Sequence, residues 1–135
     1  MEKDIRQSIT DYKMPRYICE ILCNHYAKAF LDMTIICEND TYIFSYDKKN
    51  KRRLVYRELT EIDKLQLVLT LIMINDNNCQ MLIGAERYLI EPELIYSVRN
   101  RTDYNSIGIL FYPDTTMTPF NIKLIRFMDK IGTKN

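Results

Sequence analysis

The chain has no tryptophan, three glycines, four prolines and a single histidine among 135 residues. So little glycine and proline argues against a loop-rich or disordered protein. The sequence has no Gly-x-Ser-x-Gly elbow, no phosphate-cradling glycine loop and no His-Glu-x-x-His pair. The common hydrolase, nucleotide-binding and zinc-peptidase signatures are therefore unfilled. Charge of one sign is missing too: 19 Lys and Arg against 18 Asp and Glu give a formal net charge of +1. No global field draws nucleic acid or an anionic membrane. No apolar run is long enough for a transmembrane span. Met1–Arg6 has no apolar region behind its charges, unlike a signal peptide. These absences lead to the expectation of a soluble, cytoplasmic protein.

Four cysteines are present, Cys19, Cys23, Cys37 and Cys79. Zinc sites use tighter pairs with a second pair or histidines to complete four ligands. His25 is the only histidine and no fourth ligand is evident, so reduced core thiols are expected and no metal. His25 itself is expected as a core or surface residue. Glu91 and Glu93 are close in sequence, but nothing fixes them about a substrate. No enzymatic activity and no cofactor are expected.

What is there describes one α+β domain over residues 1–135, with 1–13 as a polar and flexible N-terminus. At this length roughly two-thirds of the unfolded surface can be buried. Met14-Pro15 opens a helix over about 15–30, carrying Ile18, Ile21, Leu22, Tyr26 and Ala29 at helical spacing. Met33–Cys37 and Thr41–Tyr46 are β-branched and aromatic runs about a Glu38-Asn39-Asp40 turn, which predicts a β-hairpin. Leu54–Leu59 reads as a short strand or extended lead-in. Thr60 caps a helix over 61–75, with Asp63 in its first turn and a stripe of Leu65, Val68, Leu69, Ile72 and Met73. Asn75-Asp76-Asn77-Asn78 is expected to break it before a second helix over about 78–87. Leu94-Ile95-Tyr96 and Gly108-Ile109-Leu110-Phe111 suit a buried strand pair around the polar loop 99–105. Thr118-Pro119 opens a last helix, with Ile122, Leu124, Ile125, Phe127, Met128 and Ile131 inward and Gly132 as its stop.

Asp47–Arg53 holds five basic residues in seven: Lys48, Lys49, Lys51, Arg52 and Arg53. A solvated loop is the expected reading. The alternative is a nucleic-acid patch, but no aromatic interleaves as stacking on single strands requires.

Residues 80–114 resemble, in outline, the catalytic-loop region of a protein kinase. Glu91-Pro92-Glu93 falls where such a kinase has Lys-Pro-Glu, and the two strands follow. Leu89 stands at the position of the catalytic Asp and Leu94 at that of the metal-binding Asn. Tyr112-Pro113-Asp114 stands at the second metal site with its acid displaced to the last position. Leucine can neither hold magnesium nor orient a hydroxyl. The glycine-rich loop and strand lysine are absent. The degenerate pattern is similar to an uncharacterised domain found ahead of FHA domains in Gram-positive bacteria. It is similar, more distantly, to the cytoplasmic pseudokinase-like domain of the type VII secretion membrane protein. The segments carrying this are Thr41–Asp47, Tyr88–Tyr96 and Ile109–Pro113.

The resemblance implies a reduced kinase-C-lobe-like fold and a non-catalytic protein-interaction module in a bacterial signalling or secretion-related system. Its partner is a protein of unspecified identity, with a homo-oligomer left open. The turn at Tyr88, Glu91 and Glu93 and the loop with Arg99, Arg101 and Tyr104 are the candidate partner surface, since Tyr and Arg are enriched in interface hot spots. The rival is a nucleic-acid-associated regulator from a mobile element, using Lys48, Lys49, Lys51, Arg52 and Arg53.

Overall fold

Phe30, Phe44, Tyr88 and Phe111 meet edge-to-face with ring centroids 5.7–6.0 Å apart, and the rest of the chain is arranged around them. The computed structural model describes residues 5–10, 12–114 and 116–132. Among these, three α-helices and several small antiparallel sheets form an α+β domain. No helix of the described residues is long and apolar enough to cross a membrane.

Strand β1 (Ile5–Thr10), β2 (Asp32–Glu38) and β3 (Thr41–Asp47) form an antiparallel sheet in the order β1-β3-β2. The expected hairpin is β2–β3. Its two turn residues, Asn39 and Asp40, have φ of 48° and 64°, the left-handed pair that a tight two-residue hairpin turn requires. β1 lies in the segment expected to be flexible. Ile5 and Ile9 sit four apart, which fits a helix as well as a strand. Pairing opposite Tyr46 and Tyr42 settles it as strand.

Helix α1 (Arg16–Cys23) ends well before residue 30. The Asn24 side chain bonds back to the Glu20 carbonyl at 2.8 Å, and His25 turns left-handed at φ 58°. The chain then runs extended. Phe30 bridges Ile109 in parallel, with Leu31 N–H to Ile109 O and Ile109 N–H to Ala29 O both 2.9 Å.

Helix α2 (Glu61–Gln80) starts where the sequence places it. Thr60 and Asp63 form a reciprocal capping box at 3.0 Å each way. It does not break at Asn75, and no helix follows over 78–87. The asparagines have partners that hold them in helix: Asn75 accepts from Tyr88 Oη and Asn77 donates to Tyr104 Oη. The helix stops five residues later than expected, in a Schellman turn. Leu82 is left-handed at φ 60° and Ile83 N–H returns to Asn78 O at 2.8 Å. A 3-10 turn over Ala85–Arg87 replaces the expected second helix.

Five two-residue strands close the other half. β4 (Arg52–Arg53) pairs with β6 (Tyr96–Ser97), which pairs with β7 (Ile107–Gly108). β5 (Tyr88–Leu89) pairs with β8 (Leu110–Phe111). The expected strand pair is therefore present as β6–β7, but Leu94 belongs to a 3-10 turn over Pro92–Leu94. The run Ile107–Phe111 serves two sheets, with Ile109 at the corner. The backbone comes close to its neighbour there: a Cβ on Gly108 would lie 2.5 Å from Leu31 Cδ2, and the buried Leu31 side chain would have to shift. Ile95 and Leu110 are fully buried, as their apolar runs predict.

Helix α3 (Phe120–Ile131) follows Pro119, which sits outside the helix as its extended cap rather than inside the first turn. Gly132 ends it at φ 76°. Its buried stripe is Lys123, Phe127 and Ile131, while Ile125 is exposed.

Candidate interaction surface

Between Lys64 and Asp76 helix α2 contains no charged residue. Its core face is Leu67, Val68, Thr70, Leu71, Ile74 and Asn78, so of the expected stripe Val68 is buried and Ile72 half-buried. The rotation leaves Ile62, Leu65, Leu69 and Met73 outside, at 77%, 49%, 61% and 51% exposure. These four lie at spacings of three, four and four residues, one continuous stripe on the helix surface.

The loop after β6 runs alongside this helix from before its start to its end. Asn100 clasps the Val55 backbone through both side-chain atoms, at 2.8 and 3.2 Å. Thr70 Oγ1 donates to Thr102 O, and Thr102 Oγ1 donates to Gln66 Oε1, both at 2.6 Å. Asn77 donates to Tyr104 Oη at 2.8 Å. Arg99 and Arg101 remain exposed, and Tyr104 is half-buried. The structure thus sets part of the expected partner surface beside an apolar stripe of which Leu65, Leu69 and Met73 were expected in the core.

The other part does not join it. Tyr88 is buried, and its hydroxyl donates to Asn75 at 2.5 Å, so it is corrected from a contact residue to a core residue. Burial pushes its phenol well above the usual range. Glu91 pairs with Lys130 at 3.2 Å, and Glu93 is exposed on the 3-10 turn. Tyr56 Oη holds that turn through Pro92 O at 2.7 Å. The turn is anchored to Tyr56 and α3, the loop to α2.

The basic residues are partly committed. Lys49 is left-handed at φ 52°, with its N–H on Asp47 Oδ1 at 2.9 Å and its Nζ 2.6 Å from Asp32 Oδ2. His25 Nδ1 lies 3.2 Å from Asp32 Oδ1. The Lys49 hydrogen bond, aided by the His25 and Lys51 charges, holds the Asp32 carboxyl below its usual range against burial. This cluster lines an open cavity of about 550 Å³ with Cys23, Thr34 and Ser45. Arg52 and Arg53 are exposed on β4, not in a solvated loop, and Arg53 Nε approaches Tyr96 Oη at 3.5 Å. Lys48 and Lys51 are half-buried. Cys19 is half-buried, whereas Cys23, Cys37 and Cys79 are exposed, which corrects the expectation of core thiols.

Sequence reasoning missed Lys123. Its ammonium lies 2.9 Å from Asp114 Oδ2 and donates to the carbonyls of Ala85 and Tyr88 at 2.5 and 2.9 Å, using all three protons. Burial pushes the Asp114 carboxyl up, but hydrogen bonds from Thr116 and Lys123 prevail and hold it below the usual range. The signal was in the spacing: Lys123, Phe127 and Ile131 recur every four residues. No family model, curated protein or solved structure matches this chain.

Proposed function

We propose that the chain is a non-catalytic protein-interaction module of a cytoplasmic, bacterial signalling or secretion-related system, docking through the outer face of α2 and the loop beside it. The observation that carries this reading is the exposed stripe Ile62, Leu65, Leu69 and Met73, the last three on a charge-free stretch of helix. A helix apolar on all sides is ordinarily covered on all sides. Arg101 and Tyr104 supply a polar rim of the residue types that interfaces favour. A pull-down from native extract tests it. Leu69→Asp is expected to lose a partner that survives a variant with Lys48, Lys49, Lys51, Arg52 and Arg53 changed to Ser. The reverse pattern transfers function to the basic segment.

The kinase-like resemblance supports the absence of catalysis. Leu89 and Leu94 stand at two positions that need polar ligands, and Asp114 is already taken by Lys123 and Thr116. Millimolar ATP with magnesium is expected to leave the melting temperature unchanged. A ligand far above its dissociation constant would add several kcal/mol, so a clear rise in melting temperature removes the non-catalytic reading.

A further inference from the structure

An open cavity of about 350 Å³ lies between the 89–91 segment, the loop after β8 and helix α3. None of its residues belongs to the stripe on α2. Lys123, Arg126 and Lys130 line it from one face of α3, spaced by three and four residues. Two carboxylates, Asp114 and Glu91, line it as well. One cation is in excess, and the hydrogen bonds show which.

Asp114 is fully engaged. Its Oδ2 takes the Lys123 ammonium at 2.9 Å, and its Oδ1 accepts from the Thr116 N–H at 2.9 Å and the Thr116 hydroxyl at 2.5 Å. Thr118 Oγ1 lies 2.6 Å from Thr116 Oγ1. Thr116 has given its one hydroxyl proton to Asp114, so it accepts from Thr118. The Glu91 carboxylate meets Lys130 Nζ at 3.2 and 3.3 Å. Both of these side chains are more than a third exposed, at 39% and 51%, so the pair is weak and exchanges readily. Arg126 is exposed and, among the described residues, has no hydrogen bond or ion pair.

We infer that the cavity takes a small phosphate monoester, its phosphoryl oxygens held by Arg126 and Lys130. The guanidinium fork matches two phosphate oxygens at once. On binding, the phosphate replaces Glu91 at Lys130, so one exposed pair is exchanged for two charge-assisted contacts. Asp114 repels the anion little, because the Lys123 ammonium neutralises it. The volume lies at the low end of the roughly 300–1,000 Å³ of small-molecule sites, and Leu89 and Ile90 give an apolar wall for the ester group. In magnesium ATP the phosphates are already bound by the cation, so the unchanged melting temperature expected above stands.

The test is a titration with inorganic phosphate, then phenyl phosphate, without magnesium and at constant ionic strength, which removes general screening. The Arg126 Nε–H signal and calorimetry report binding. Inorganic phosphate is expected to saturate with a Kd on the order of 1 mM, the scale of a site with two charge-assisted contacts. Phenyl phosphate is expected to bind more tightly, its ring against Leu89 and Ile90. Arg126→Gln is expected to weaken both at least about tenfold. Glu91→Gln is expected to tighten both by about two- to fivefold, because the competing exposed pair is gone. Changing Lys48, Lys49, Lys51, Arg52 and Arg53 to Ser is expected to leave binding unchanged. Circular dichroism confirms that each variant is folded.

No saturation by about 20 mM phosphate, some twenty times the expected Kd, overturns the inference. So does binding that survives Arg126→Gln, or that only the five-serine variant loses, since either places the anion elsewhere. Weakening by Glu91→Gln overturns it as well, because Glu91 would then support the site rather than compete with the ligand. A phosphothreonine peptide is the last arm. It is expected to bind no more tightly than inorganic phosphate. Tighter binding of the peptide than of phenyl phosphate overturns the small-molecule occupant and gives the site to a phosphorylated protein.

Discussion

Replacing Lys123 with Ala is expected to lower unfolding free energy by about 3–5 kcal/mol, the cost of removing one partner from a buried ion pair. Chemical denaturation measures it. The substitution removes the ammonium 2.9 Å from the Asp114 carboxylate, whose side chain is 16% exposed. It also takes the ammonium donor from the carbonyls of Tyr88 and of Ala85, the latter keeping the Tyr88 N–H. A double variant, Lys123→Met with Asp114→Leu, is expected to recover most of the loss, because apolar replacement of a buried pair is often neutral. Recovery separates loss of the pair from loss of packing by the lysine stem. The pH dependence has a fixed sign. Asp114 is depressed below its reference of 3.8, so its contribution is complete above that pH and is lost as pH falls through the folded value. Wild-type stability is expected to fall more steeply below about pH 4 than that of Lys123→Ala. Equal slopes, or a Lys123→Ala cost under about 1 kcal/mol, the scale of an exposed pair, would reassign Lys123 to the surface.

Phe111→Ala is expected to cost a similar amount, about 3–5 kcal/mol. The ring is fully buried and meets Phe30 at 5.7 Å and Phe44 at 6.0 Å, both edge-to-face. Phe30 comes from the extended segment after α1 and Phe44 from β3, so the cavity would open between two parts of the fold with little room to collapse. Phe111→Leu keeps most of the volume and is expected to cost less than about 1.5 kcal/mol. Near-equal effects of the two substitutions would show that the site relaxes around the missing ring and that the cluster is not tightly packed.

The hairpin was legible because Asn39 and Asp40 tolerate the left-handed conformation that the turn imposes. The start of α2 was legible because Thr60 and Asp63 carry their own hydrogen-bond geometry. The face of α2 was not. Eight of the ten residues from Leu65 to Ile74 are apolar, so no periodicity distinguishes one side from another. The structure buries the side that includes Thr70, whose hydroxyl reaches the Thr102 carbonyl. The end of α2 was hidden for a related reason. Four polar residues in a row look like a break until Tyr88 and Tyr104 arrive as partners from elsewhere in the chain, and Leu82 turns left-handed where glycine would have announced the stop. Those same two tyrosines were taken for surface residues. Their hydroxyls find asparagines on α2, a pairing that sequence spacing cannot reveal.

The corner at Ile109 has a consequence for how the protein is made. Among the described residues, three links from the N-terminal half to the rest of the fold pass through residues 109 to 112: Phe30 to Ile109, Tyr46 to the Phe111 carbonyl, and Tyr112 to Ser8. Tyr46 and Phe111 are 65 residues apart. At ribosomal rates of roughly 5–20 residues per second, the hairpin waits roughly 3–13 s for its cover. During that interval Phe44 and Tyr46 lack their cover on the nascent sheet, so the newborn chain is expected to be most exposed to chaperones and to aggregation before residue 111 emerges.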